Sequence, residues 1–209
     1  MAQPDNWDEL CLVSLYRAGD TTTGERQFAA LITGSIEINE GDYPGESIPN
    51  AAGGRQWKQS PQEDHELVFN DLIPLDIGTN ADNEGLDQFW NGVSGTPPAA
   101  YDTTEPMATD SSWPAGVNRV RDKFRVSILW SNDPAVTSAA GATAISTESK
   151  RIYCTDCRII SHKDNWSPQD GYKASVTFKA PAMNKAGTTK TLIRESGVAT
   201  ALSALGAYS

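Results

Sequence analysis

Tyr172-Lys173-Ala174-Ser175-Val176-Thr177-Phe178-Lys179 is the stretch on which the fold class turns. Successive side chains of an extended chain point to opposite faces. Tyr172, Ala174, Val176 and Phe178 therefore share one side, and Lys173, Ser175, Thr177 and Lys179 the other. One apolar and one wet face mark a half-buried β-strand. The same period of two recurs upstream. Phe124, Val126 and Ile128 alternate with Lys123, Arg125 and Ser127, and Leu129-Trp130 closes the run. Ile32, Gly34, Ile36 and Ile38 alternate with Leu31, Thr33, Ser35 and Glu37. Leu10 to Tyr16, His65 to Leu72 and Arg151 to Ile160 complete a set of about six strands, and Thr191-Leu192-Ile193-Arg194 adds another.

Helix signals are sparse. Asn132-Asp133-Pro134 reads as an N-cap followed by Pro at the first helical position, which predicts a helix over the Ala-rich residues 135–145. A shorter helix is expected over Gly85 to Trp90. Two long polar connections separate the strands, a loop at 40–64 and an insertion at about 91–118. The first is too long and too rich in Gly and Pro for a simple hairpin. Both carry aromatic residues, Tyr43 and Trp57 in one, Tyr101 and Trp113 in the other. An aromatic in a loop packs on something, either a partner subunit or its own domain. With no internal repeat and no visible boundary, residues 1–209 read as a single domain of α+β class, mainly β, with one flanking helix and long loops.

The 209 residues carry 27 acidic and 17 basic side chains, a formal net charge of -10. A chain so acidic does not wrap nucleic acid by counterion release, which needs a basic face. The longest apolar run, Phe28 to Ile32, falls far short of the roughly 20 residues of a membrane-spanning helix, and the first residues lack the features of a secretory signal. No membrane association is expected. The three cysteines, Cys11, Cys154 and Cys157, cannot build a disulfide framework and are expected to be buried structural thiols in a reducing compartment. Cys154-Thr155-Asp156-Cys157 has C-x-x-C spacing, but inside a strand these two positions point to opposite faces and could not share a metal.

Catalytic constellations are not apparent. The two histidines, His65 and His162, lie outside any nucleophile-elbow context, and no P-loop or dinucleotide fingerprint occurs. His65 is expected as a solvated strand start. Asp82-Asn83-Glu84 with Asp87 lacks the ligand order of an EF-hand. No enzyme activity, cofactor or metal is expected.

Several pieces taken together resemble the major tail tube protein of long-tailed bacterial and archaeal viruses. The strand Ile32 to Ile38, the stretch from Glu40 to Pro49, Gly53-Gly54-Arg55-Gln56-Trp57 and Ser60-Pro61-Gln62-Glu63-Asp64-His65 look like that family's early strand, inter-ring loop and return strand. Arg125 to Trp130, the Ala-rich stretch, Arg151 to Ile160 and Asp170 to Pro181 resemble its closing elements. The likeness covers most of residues 26–181. It implies a β-sandwich or barrel-type domain flanked by a helix, and subunits that form stacked, usually hexameric rings around a lumen through which viral DNA passes without specific binding. Tyr43, Trp57, Tyr101 and Trp113 would then lie at subunit or inter-ring interfaces. The implied partners are further copies of the chain and other tail proteins, with assembly in the host cytoplasm and residence in the virion tail.

An acidic wall suits DNA that must slide, because an attractive one would hold its phosphates. Most of Lys123, Arg125, Lys173 and Lys179 are therefore expected to point away from the lumen or to pair with a neighbour's carboxylates. Competing readings are a tail terminator, a connector, a decoration protein, or a carbohydrate-binding β-sandwich using its six scattered Trp residues.

Overall fold

The computed structural model describes residues 10–17, 25–27, 34–72, 123–136, 138–144 and 148–203. Among them are ten strands: β1 (Leu10–Arg17), β2 (Glu25–Gln27), β3 (Ser35–Asn39), β4 (Gly45–Pro49), β5 (Arg55–Gln59), β6 (His65–Leu72), β7 (Phe124–Ser131), β8 (Ser149–Ser167), β9 (Gly171–Ala180) and β10 (Leu192–Ser196). All pairings are antiparallel. Strands run in the order β2-β1-β7-β8-β9-β6-β3, with β10 also on β8, while β4 and β5 form a separate pair.

β8 spans 19 residues and serves two sheets. Its first part pairs with β7 and β10, and its last part, from Arg158, pairs with β9 alone. Two register irregularities fall at this passage. Phe124 and Val126 of β7 face Cys157 and Cys154, so one extra residue bulges out of β8. A second irregularity lies between Ile159 and Ser161. Bulges bend a strand and sharpen its twist, which lets one strand turn the corner between sheets.

The fold is consequently β-rich, and side chains from both sheets meet in one core. Val13 and Leu15, Val126 and Ile128, Ile152 and Cys154, Leu67 and Phe69, Val176 and Phe178 all belong to one buried cluster. The alternation that singled out the 172–179 stretch is realised at Ala174, Val176 and Phe178, whereas Tyr172 lies beyond the core and is exposed. Phe69 and Phe178 meet edge to face, ring centroids 5.7 Å apart, the geometry that the ring quadrupoles favour.

β7 departs from its expected alternation. Arg125 and Ser127 are buried along with Phe124, Val126 and Ile128, because both faces of this strand are covered. The outer cover comes from the segment expected to be helical. Val136 and Ala139 pack with Val198 on Leu12 and Leu129 in a second cluster. No helix forms among the described residues of 132–144. Asp133 Oδ1 accepts from Ala135 N at 2.9 Å, as an N-cap would, but Ser138 Oγ takes Ala140 N at 3.2 Å, a donor that a continuing helix would need. Short side-chain turns of this kind compete with helix, and Gly141 adds entropy against it. The Gly85–Trp90 helix and the 91–118 insertion lie outside the described residues.

Arg151 fixes the C-terminal segment to the outer face. Its side chain is 1% exposed and bonds Glu195 Oε2 through Nε at 2.9 Å and Nη2 at 2.6 Å. It also donates to the carbonyls of Gly141 at 2.8 Å and Thr200 at 2.8 Å. Thr143 and Ser149 complete the fastening through Val198, whose carbonyl accepts from Thr143 Oγ1 at 2.7 Å and whose N–H donates to Ser149 Oγ at 2.9 Å.

Candidate assembly surface

The connection at 40–64 is not an open loop. It is an arm made of a stem, residues 40–44 beside 60–64, and the β4–β5 hairpin at its end. The stem legs are stitched by Ser60 N to Pro44 O at 2.8 Å, Glu63 N to Asp42 O at 2.9 Å and Gln62 Nε2 to Gly41 O at 2.9 Å. The hairpin registers Gly45 with Gln59, Ser47 with Trp57 and Pro49 with Arg55. Its turn is closed by Asn50, whose Oδ1 accepts from Gly54 N at 2.8 Å, and by Gly53 at φ 82°, a conformation that side chains disfavour. Period-two alternation could not reveal this hairpin, because all ten of its strand residues are exposed.

That exposure is the feature of the arm to be explained. A lone two-stranded hairpin is marginally stable in water, and this one buries nothing on the sheets. Trp57 is 68% exposed, Tyr43 51% and Ile48 38%. Within the hairpin, the Trp57 ring lies over Gly45, where a Cβ would come within 2.5 Å of it. Of the sequence-derived interface residues, Trp57 thus sits in the distal hairpin and Tyr43 in its stem. Tyr101 and Trp113 lie outside the described residues.

Two further surfaces carry no signal that the sequence reading used. The second sheet, the last part of β8 with β9, β6 and β3, ends in open edges among the described residues: β3 on one side and β8 beyond Ile159 on the other. The β8–β9 hairpin also overhangs β6. There Trp166 faces Tyr172 across the strands, and Trp166 is 66% and Ile160 53% exposed. Trp166 directly before the Pro168-Gln169-Asp170-Gly171 turn was a readable hint of a hairpin tip.

Of the four cations expected to point away from a lumen or to pair with a neighbour's carboxylates, two have carboxylates of their own chain beside them and a third is buried. Lys123 pairs with Asp156 at 3.0 Å and Lys179 with Asp64 at 4.0 Å. Arg125 is buried, stacks over the Tyr16 ring at 5.2 Å and donates to the Ser203 carbonyl.

The cysteines are buried or half-buried thiols, as expected, but the β8 bulge overturns the expectation of opposite faces. Cys154 and Cys157 both enter the main core, and the Cys157 thiol lies 3.7 Å from the Cys154 carbonyl oxygen. Burial holds the Cys157 thiol well above its ordinary pKa and pushes Cys11 up to about 11. Such thiols stay protonated and are poor nucleophiles and poor metal ligands. No cluster of three or more metal-ligating side chains occurs among the described residues. His65 is likewise not the solvated strand start expected of it: it is 1% exposed.

No family model matches the sequence, and no curated protein matches it. Among solved structures, the chain is similar to the sheath/tube terminator of PVC, an extracellular contractile injection system, in its extended state. Identity there is 10%, over 93% of this chain and 99% of that one, at a TM-score of 0.46. It is also similar to the tube-terminating cap of the anti-feeding prophage, at 6% identity over 94% and 93% of the two chains and a TM-score of 0.45. Hcp1 from Flavobacterium johnsoniae shows 12% identity over 81% and 89%, at a TM-score of 0.30.

Proposed function

We propose that the protein is a structural subunit of a tail-type tube, and that its arm joins one ring of subunits to the next. The observation that carries this is the arm itself. A hairpin whose ten strand residues are all exposed, Trp57 and Ile48 among them, gains its missing burial when it lies on another subunit. From Glu40 to the turn at Asn50, an extended leg spans at most roughly 35 Å, enough to cross to a neighbour. Lateral closure follows from the open edges of the second sheet: β3 of one copy meets β8 beyond Ile159 of the next, which removes both edges. In this reading the ring encloses a lumen for DNA. The internal pairing of Lys123 and Lys179 and the burial of Arg125 make these three cations less available to grip phosphate.

Electron microscopy of the purified protein at high concentration tests this, alongside Trp57→Ala and a variant whose residues 45–59 are replaced by a short Gly-Ser linker. The wild type should form hollow rods. The shortened variant should keep its strand signature in circular dichroism and form rings that do not stack, with Trp57→Ala weakened in the same direction. Single wild-type rings that never stack would instead indicate a subunit that ends a tube. Chains that remain monomeric at every concentration would overturn the proposal.

A further inference from the structure

His65 opens β6 at the root of the arm, where the 60–64 leg enters the sheet. Its Nδ1 accepts the backbone N–H of Gly41 at 3.1 Å, and the Ala182 backbone also acts on the ring. An acceptor at Nδ1 leaves the proton on Nε2 and defines the neutral imidazole in one tautomer. The bond ties the two legs together where they leave the sheet.

Gly41 has no alternative position. It is pressed on the opposite leg so closely that a Cβ there would fall 1.9 Å from the Glu63 carbonyl oxygen. A proton on Nδ1 would set two N–H donors against each other in a part-buried site, which pushes the leg and the ring apart.

Three charged groups act on this ring. Glu40 and Asp64 favour the imidazolium, while Lys190 opposes it. Both acids are partly engaged elsewhere, Glu40 by Arg194 of β10 at 3.5 Å and Asp64 by Lys179 of β9 at 4.0 Å. Desolvation is the largest influence and draws the pKa below its ordinary value of 6.5. The sign follows. The neutral ring is the form that the folded chain prefers, so the bond's contribution is complete above 6.5. It is lost as the pH falls from there through the lower value of the folded state.

We propose that His65 is a proton-operated latch: protonation breaks its bond to Gly41 and releases the root of the arm while both sheets stay folded. The latch is a property of the single chain and does not depend on tube assembly. Amide hydrogen exchange and imidazole titration of the full chain by NMR, between about pH 7.5 and about pH 5, test it. The Gly41 amide should lose protection about tenfold for each pH unit through which the His65 ring titrates, while amides of Val126 and Phe178 keep theirs. In His65→Asn the side-chain oxygen can still accept from Gly41 but does not titrate, so protection should become independent of pH. Gly41 staying protected after the ring has titrated would overturn the proposal, as would simultaneous loss of all protection. So would an Asn variant that opens at the same pH as the wild type. Should that variant fail to fold, the wild-type titration alone decides.

Discussion

Arg151 shows how one buried cation can hold a chain terminus. Its guanidinium is almost wholly out of water, and its donors converge on Glu195 and on carbonyls of two segments that have no strand pairing of their own. Removing one partner of a buried pair costs more than the pair itself contributes, because the other is left unsatisfied. Here the side chain of Glu195 is 34% exposed and can turn to water, so the stranded group is chiefly the set of carbonyls. Arg151→Met should therefore destabilise by about 3 kcal/mol, and Glu195→Gln, which keeps the acceptor, by well under half of that. Urea unfolding of both variants checks the ranking. Limited proteolysis adds a local readout, since residues 197–203 should become cleavable in Arg151→Met before the strands do. Equal losses in the two variants would mean that charge pairing, and not carbonyl capture, is what matters.

At the scale of elements, what the sequence disclosed depended on whether burial left a periodic trace. β6 and β9 each show one face to the core and were legible almost to the residue. β4 and β5 were hidden, because a hairpin exposed on both faces leaves no alternation; only Asn50 and Gly53-Gly54 mark its turn. Residues 132–144 misled for another reason. Ala-rich composition favours helix, but Ser138 turns its oxygen on the backbone, and the tertiary demand there is for a thin cover over Leu12 and Leu129. The β8 bulge was illegible because register belongs to two strands at once. It also explains why one core takes in both Cys154 and Cys157. Deleting Asp156 would remove the extra residue, keep Cys154, Cys157 and Ile159 on the core face, and take away the bend that carries β8 from one sheet to the other. Such a chain should express as aggregate or lack the near-ultraviolet signature of packed aromatics. A soluble deletion variant with wild-type circular dichroism would show that β8 can pass between the sheets without the extra residue.

For the whole molecule, the question is how copies each carrying a net charge of -10 come together. Long-range repulsion between like-charged subunits opposes association and is screened by salt, over about 10 Å at 0.1 M. The surfaces proposed for assembly are of another kind: backbone groups on β3 and β8, and apolar side chains at Trp57, Ile48 and Tyr43. Edge pairing and apolar burial are little affected by moderate salt, while the repulsion is strongly reduced. The described ion pairs involving the candidate cations, such as Lys123 with Asp156, are already closed within the chain and are not offered to a neighbour. Assembly should therefore strengthen as ionic strength rises from about 0.02 M to about 0.3 M. Sedimentation velocity at fixed protein concentration should show material moving from monomer to large species over that range. The opposite trend, assemblies dissolving as salt is added, would mean that attraction between opposite charges on neighbouring copies holds the rings, and would shift the interface from the open strand edges to the charged rims of the sheets.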